Sequence, residues 1–224
     1  MHLRIHKEGW LYFVISCLIA IVIIPFYTVL GIFLALLSIY IFYFFRDPIR
    51  AVPNEDVVVA PADGLVTFVG ESNSPLENNS DTNKYKKISI FLSIFDVHVN
   101  RMPIDASISL INYIPGKFLN ATLDKSSKEN ERNIIFVKNK NENFYIVQIA
   151  GLIARRIVCN LKNDQEVKKG QRIGIIKFGS RVDLYLPINY NILISKGQRV
   201  VGGETIISNP NNTKNINSSI LIWM

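Results

Sequence analysis

Cysteine is scarce in this chain of 224 residues, which contains only Cys17 and Cys159. Two cysteines without a Cys-x-x-Cys pair do not make a disulfide framework or a cysteine-based metal site, and they favour a reducing compartment. No structural metal site is therefore expected. Histidine is scarce too, and His98 is the only one that follows the first apolar segment. Chemistry in the folded domain that needs an imidazole therefore depends on His98.

Common catalytic motifs are missing as well. The sequence has no Gly-x-Ser-x-Gly elbow, no Walker loop, no His-Glu-x-x-His segment and no nicotinamide or flavin fingerprint. Helical periodicity is rare after residue 46, where short apolar runs alternate with turn residues. Many short strands separated in this way predict a mainly β domain with a sandwich or barrel-sandwich fold.

Charged residues and histidine are absent from the whole segment between Trp10 and Phe45. One membrane-spanning helix needs about 20 residues, so the segment is too long for one helix and slightly short for two. Pro25 near its middle would break a continuous helix. We therefore expect a hydrophobic helical hairpin in residues 1–45, a membrane anchor that spans the bilayer or dips into it, followed by a catalytic domain in residues 46–224. A cleaved signal peptide is disfavoured by the length of the segment.

Basic residues flank this segment on both sides, with Arg4 and Lys7 before it and Arg46 and Arg50 after it. Basic flanks favour the cytoplasmic side of a membrane, which predicts that both ends of the hairpin lie there. The formal net charge of +7 suits an anionic surface, and the apolar segment favours a membrane over nucleic acid. The predicted location is the cytoplasmic face of the cell membrane.

A Gly-Ser pair, Gly179-Ser180, joins two strand-like runs, Ile173–Phe178 and Val182–Leu186. Glycine has no Cβ, so its carbonyl can be approached closely, and the serine that follows has a hydroxyl that could attack it. The ordinary alternative is a simple turn, because both residues are common in turns. The pair alone does not decide between these interpretations.

The remaining candidate residues for chemistry lie in two short segments. His98 lies between two valines on a predicted strand, so its ring should point to the opposite face. Its ordinary alternative is a half-buried histidine bonded to a backbone carbonyl. Asp96 and Arg101 flank it and could orient it. Asp63-Gly64 predicts a hairpin turn, which gives Asp63 an equally ordinary role.

Seven short motifs occur in the following order along the chain: Phe44-Phe-Arg-Asp-Pro48, Pro61-Ala-Asp-Gly64, Phe95-Asp-Val-His-Val-Asn-Arg101, Tyr113-Ile-Pro-Gly-Lys-Phe118, Asn130-Glu-Arg-Asn133, Gln148-Ile-Ala-Gly-Leu-Ile-Ala-Arg-Arg156 and Lys177-Phe-Gly-Ser180. In this order they resemble the short, prokaryotic form of the phosphatidylserine decarboxylase family. The resemblance runs from the end of the apolar segment through the Gly179-Ser180 strand and extends to the C-terminus. Larger relatives have a second histidine where this chain has Arg101, and Leu-Gly-Ser-Thr where it has Phe178-Gly-Ser-Arg181.

The resemblance implies a proenzyme that cuts itself between Gly179 and Ser180. The Ser180 hydroxyl would attack the Gly179 carbonyl, and Ser180 would become a pyruvoyl group at the start of the released α chain, residues 180–224. The β chain, residues 1–179, would remain associated with it. The pyruvoyl carbonyl would form a Schiff base with phosphatidylserine and stabilise the carbanion left by carbon dioxide, which gives phosphatidylethanolamine.

The resemblance also implies the site residues. Ser180, His98 and Asp63 would be catalytic, with Asp63 as the carboxylate partner of His98. Because Arg101 replaces the second histidine, the role of His98 stays open between self-cleavage, decarboxylation or both. The expected partners are phosphatidylserine and the anionic membrane surface, without nucleic acid and without a metal. The substrate-binding residues are unknown at this point, and the oligomeric state is open, a homo-oligomer included.

Two alternatives to this enzyme stay open in the sequence. A membrane-tethered carrier or binding module of lipoyl-like fold, without catalysis, would fit the Lys-Gly-Gln-Arg pattern shared by Val167–Gly174 and Ser195–Glu204. Such a carrier needs a Met-Lys-type hairpin tip, which is not present. A pyruvoyl enzyme for a soluble amino acid would not explain the anchor, whereas a lipid substrate would.

Overall fold

The computed structural model describes residues 4–76, 83–117, 129–151, 156–177 and 180–209. Within these ranges two helices, α1 (Lys7–Ile23) and α2 (Thr28–Phe44), precede a set of antiparallel strands. The expectation of a mainly β fold that follows an apolar helical hairpin is confirmed. The strands are β1 (Val58–Val59), β2 (Gly64–Asn73), β3 (Lys84–Leu92), β4 (Val99–Arg101), β5 (Ala106–Ile114), β6 (Arg132–Asn139), β7 (Glu142–Ala150), β8 (Arg156–Cys159), β9 (Glu166–Val167), β10 (Arg172–Lys177), β11 (Ser180–Pro187), β12 (Arg199–Val200) and β13 (Ile206–Ser208).

The two helices pack against each other and turn at Pro25, as the sequence predicts. Two glycines allow this close packing. A Cβ at Gly31 would lie 2.5 Å from Cγ1 of Ile24, and one at Gly9 would lie 2.4 Å from Cβ of Phe45. Most of the other apolar side chains of the hairpin are exposed, among them Val29 at 84%. No helix among the described residues combines the length and the hydropathy needed to cross a bilayer.

The strands form one large curled sheet and two small ones. The large sheet has eight strands in the order β12-β2-β3-β11-β7-β6-β5-β9. A three-stranded sheet has the order β4-β10-β8, and β1 pairs with β13. β11 therefore lies inside the large sheet, where it is paired with β3 along one side and with β7 along the other.

The concave face of the large sheet forms the main hydrophobic core. Residues that alternate along β3, β7 and β11 point to this face, as the two-residue period of a strand requires. Burial of their apolar surface, at about 25 cal/mol per Å², is the dominant favourable contribution to folding. Members of this core include Ile88, Ile90, Leu92, Ile146, Ala150, Val182, Leu184 and Leu186, all fully buried.

The hairpin predicted at Asp63-Gly64 is wrong. β1 pairs with β13 rather than with β2, so the two strands that flank the dipeptide belong to different sheets. Gly64 has φ +151°, and a Cβ there would lie 2.2 Å from the carbonyl oxygen of Phe91. The glycine is required by close contact with the neighbouring strand, since only glycine fits both the backbone angle and the space.

The repeated Lys-Gly-Gln-Arg pattern produces the same turn twice. The Gln171 side chain accepts from the Lys168 amide at 3.0 Å, and the Gln198 side chain accepts from the Ser195 amide at 3.3 Å. The glycine of each copy has a positive φ, 78° at Gly170 and 92° at Gly197. The first turn leads into β10 and the second into β12.

Candidate active site

The three predicted catalytic residues lie at one end of the large sheet. Ser180 is the first residue of β11, where it pairs with Leu92 of β3 and Ala150 of β7. Directly after Leu92 the chain turns and reaches His98, whose carbonyl accepts from the amide of Ile176 in β10 at 3.4 Å.

Asp63 reaches the same end from the other side of β3. It immediately precedes β2, and Leu65 of β2 pairs with Phe91, next to the Leu92 that pairs with Ser180. These pairings therefore place Asp63 and Ser180 near the same end of β3, although the two residues are far apart in sequence. Gly179, the other half of the predicted cleavage site, lies outside the described residues.

Ser180 is completely buried, and its hydroxyl has no hydrogen-bond partner within the described part of the chain. An unpaired buried hydroxyl costs about 1–3 kcal/mol. Buried polar atoms in folded proteins are almost always paired, so an exception needs an explanation. Ser208, which is equally buried, donates its hydroxyl to the carbonyl of Asn191 at 2.6 Å. The two buried serines therefore differ in whether their hydroxyls are paired.

The His98 imidazole is completely buried, and its Nδ1 lies 2.9 Å from the carbonyl oxygen of Asp96. A carbonyl oxygen can only accept, so Nδ1 carries the proton and the lone pair belongs to Nε2. Nε2 has no partner among the described residues. Burial lowers the pKa of His98 to about 4; the contacts with Asp96 oppose this effect and nearby Arg46 adds to it. His98 is therefore a neutral base with a free acceptor atom.

The turn that carries His98 is fixed by the Asp96 carboxylate. One carboxylate oxygen accepts from the Ser93 amide at 2.8 Å and from the Ser93 hydroxyl at 2.7 Å. The other oxygen forms an ion pair with Arg199. The Asp96 carbonyl that orients the imidazole is thus part of a rigid turn.

Asp63 is bound by groups other than His98. Nη2 of Arg50 donates to both carboxylate oxygens, at 2.9 and 2.7 Å, and the Gly202 amide donates at 2.8 Å. Burial raises the pKa of Asp63, an effect that the charge of Arg50 opposes. Among the described residues Asp63 and His98 share no hydrogen bond, so the partnership between them stays a prediction.

Arg101, at the position of the second histidine of the larger relatives, is a structural residue in this chain. Its guanidinium pairs with Asp47 at 2.7 Å and donates to the carbonyls of Pro48 at 2.9 Å and Gly170 at 3.1 Å. These contacts bind the segment after α2 to the β domain.

Sequence reasoning missed a chain of buried amides on the Ser180 face of the sheet. Nδ2 of Asn133 donates to Gln148 at 2.9 Å, and Nε2 of Gln148 donates to Asn100 at 2.8 Å. Gln148 pairs with Val182, so it lies on the same face as Ser180. A polar residue inside the apolar run of β7 was the available signal. These hydrogen-bonded amides connect β4, which follows His98, to β6 and β7.

Comparison with known proteins agrees with this geometry. A family model described as phosphatidylserine decarboxylase matches residues 37–208. A phosphatidylserine decarboxylase proenzyme of Ehrlichia chaffeensis is 49% identical over 208 residues, which cover 92% of this chain and 91% of that protein. Proenzymes with the same name from Pelagibacter ubique and Rickettsia typhi are 47% and 46% identical, over 92% and 91% of this chain and 96% and 89% of their own lengths.

The mainly β fold and these matches define a pyruvoyl-dependent carboxy-lyase that is made as a proenzyme. The chain belongs to the phosphatidylserine decarboxylase family. It converts phosphatidylserine to phosphatidylethanolamine with a pyruvoyl group derived from serine, after processing into α and β chains. The family is membrane-associated.

Proposed function

We propose that Ser180 is the serine that becomes the pyruvoyl group and that the chain cuts itself between residues 179 and 180. The observation that carries this proposal is the buried Ser180 hydroxyl, which has no partner among the described residues. The hydroxyl attacks the carbonyl of residue 179, and the peptide becomes an ester. Elimination releases the β chain carboxylate and leaves dehydroalanine at position 180. Addition of water then expels ammonia and leaves the pyruvoyl cap.

The position of Ser180 fits such a group. When it is formed, the pyruvoyl group supplies an electron sink for the electron pair that stays on the substrate carbon as carbon dioxide leaves. Ser180 lies between Leu92 and Ala150, both fully buried, so these neighbours exclude water from that position. A dry site strengthens electrostatic interactions and protects reactive groups from hydrolysis.

We assign to His98 the proton transfers of the site. Its free Nε2 accepts the proton of the Ser180 hydroxyl during self-cleavage, and the neutral ring is the state that this step requires. The same atom would return a proton to the substrate carbon after decarboxylation. Asp63 is proposed as the carboxylate partner of His98, because it is held at the same end of β3 as Ser180 by the Gly202 amide and Arg50. Arg50 then holds the Asp63 carboxylate in place.

The experiment that tests this assignment compares substitutions in the purified protein by gel, intact mass and decarboxylase activity. Ser180→Ala should remain one uncut chain without activity. Ser89→Ala, at a buried serine of β3, should be cut and active. His98→Ala should accumulate uncut chain, since general base assistance contributes roughly two to four orders of magnitude in rate. Cleavage of Ser180→Ala would overturn the assignment of the serine, and full cleavage and activity of His98→Ala would overturn that of the histidine.

We further propose that residues 1–45 are the membrane anchor and hold the catalytic domain, residues 46–224, at the cytoplasmic face. The exposed apolar surface of the hairpin supports contact with lipid, because monomeric soluble proteins rarely expose contiguous apolar surface of this extent. Phosphatidylserine lies in that membrane, and its anionic surface attracts the net positive charge of the chain.

A further inference from the structure

The end of the anchor helix α2 lies directly against the turn that carries His98. The hydroxyls of Tyr40 and Tyr43 donate to the carbonyls of Ile94 and Phe95, each at 3.2 Å. Arg46 donates to the Phe95 carbonyl at 2.7 Å. The side chains of Tyr40, Tyr43 and Arg46 therefore hold the turn that carries His98 in place.

The contact extends to the imidazole itself through Phe44. Phe44 is completely buried, and its ring centroid lies 4.3 Å from that of His98 with 35° between the ring planes. It belongs to a cluster with Phe45, Val97 and Val99. The Phe44 ring covers one face of the imidazole, while the Asp96 carbonyl holds its Nδ1 edge. Together these two contacts determine the direction of Nε2.

Few charged groups face this histidine. From its own turn comes the Asp96 carboxylate, which is paired with Arg199, and from the end of α2 comes Arg46. Phe44, which contacts the ring, belongs to a cluster whose buried members are all apolar. Removal of the Phe44 ring would therefore expose the imidazole to water without removing a charge.

We propose that Phe44 is a positioning residue of the active site, which fixes the orientation of His98 and excludes water from its ring. The membrane hairpin thereby contributes a wall of the active site in addition to its role as an anchor. This proposal rests on the proposed role of His98 as the base. Phe44 is the first residue of the motif Phe44-Phe-Arg-Asp-Pro48, so the proposal gives this motif a function in the reaction itself.

The test compares the rate of self-cleavage of Phe44→Leu and Phe42→Leu in full-length protein, followed on gels after cell-free synthesis in detergent. Phe42 lies in the same helix, but its ring contacts Phe13 of α1 at 5.4 Å. Phe44→Leu should slow self-cleavage by ~10-fold or more, because general base efficiency depends on position and pKa. The low-pH limb of its cleavage rate should move from about 4 towards 6.5, the ordinary histidine value. Phe42→Leu should match the parent protein in both measurements.

A second measurement does not depend on activity. Carbon-13 labelled histidine in the uncut Ser180→Ala protein gives the His98 pKa by NMR, with the resonance assigned by its loss in His98→Gln. Phe44→Leu should raise that pKa, and Phe42→Leu should not. Slower self-cleavage without a change in the His98 pKa would show a merely structural role and overturn the proposal, as would a Phe44→Leu protein that is cut at the parent rate. After either of these results, a His98→Ala protein without activity would still support the proposed role of His98. A fully active His98→Ala protein would overturn both the role of His98 and the role of Phe44.

Discussion

At the scale of single residues, the proposed site contains two polar atoms, Ser180 Oγ and His98 Nε2, that are buried without a partner among the described residues. The sequence identified Ser180 and His98 as candidates, and even the ordinary alternative for His98 was partly right, since its ring does bond to a backbone carbonyl. Sequence could not show that Nε2 would lack a partner, because that depends on how α2 and β10 pack around it. Sequence could likewise not show that Asp63 would be buried against Arg50, because this contact also depends on tertiary packing.

The burial of His98 predicts a pH dependence of stability. Because burial lowers the pKa of His98 from 6.5 to about 4, the unfolded chain binds a proton between these values that the folded chain does not. This residue therefore destabilises the fold as the pH falls from 6.5 towards 4, by up to roughly 3 kcal/mol. His98→Gln should lose less stability over that range.

The measurement is denaturant unfolding in detergent at pH 7.5 and 4.5, made with Ser180→Ala so that a single chain unfolds. The difference between the histidine and glutamine proteins isolates the titration of this residue from that of other groups. Parallel losses of stability in the two proteins would contradict the predicted burial effect.

At the scale of elements, the junction between the hairpin and the β domain is an ion-pair network around Asp47. Its carboxylate pairs with both Arg101 and Arg172, and its amide donates to the carbonyl of Arg4 at 2.6 Å. Removal of one partner from a buried pair leaves uncompensated charge and costs about 3–5 kcal/mol. Asp47→Asn, which keeps the size of the side chain, should destabilise the protein by an amount approaching this range.

Asp56→Asn is the matched control for this prediction. Asp56 pairs with Lys140 at 3.4 Å on the surface, and an exposed pair contributes at most about 1 kcal/mol. Denaturant midpoints of the two variants give the comparison. Equal losses of stability in the two variants would show that the ion pairs of Asp47 contribute no more than an exposed ion pair.

The elements themselves were predictable to different degrees. The apolar segment broken by Pro25 and the alternating strands could be located, because periodicity reports local burial. Strand partners could not, because pairing joins residues distant in the chain. The Asp63-Gly64 dipeptide illustrates this difference, since its glycine serves a contact with Phe91 of another strand.

At the scale of the whole molecule, the two product chains share every sheet to which the small chain contributes. After a cut before Ser180, β11 would remain between β3 and β7, β12 beside β2 and β13 beside β1. Gly202 and Arg199 of the small chain also bind Asp63 and Asp96 of the large chain. We expect the two chains to co-elute from a sizing column in mild detergent and to separate only in denaturant. Separation under native conditions would contradict this prediction.

The small chain should also resist Edman sequencing, because its pyruvoyl cap lacks a free amine.

Membrane topology is a second prediction at this scale. If both ends of the hairpin face the cytoplasm, single cysteines at Lys7 and Ile49, both exposed, should be protected equally from an impermeant thiol reagent in intact cells. Cys17 and Cys159 would first be replaced by serine. Labelling of one position and protection of the other would rule out a hairpin with both ends on the same side.

If the chain is processed at Ser180, as proposed above, the central position of β11 makes processing a late event in biosynthesis. Ser180 reaches its buried position only when its strand has paired with β3 and β7, whose residues lie far earlier in the chain. A nascent chain that has not yet released residues 180–187 from the ribosome cannot complete this sheet. Formation of distant pairings is slow, because the entropy of closing long loops must be overcome first. The cut then serves as a quality check, since a molecule acquires its catalytic group only after its own tertiary structure is complete.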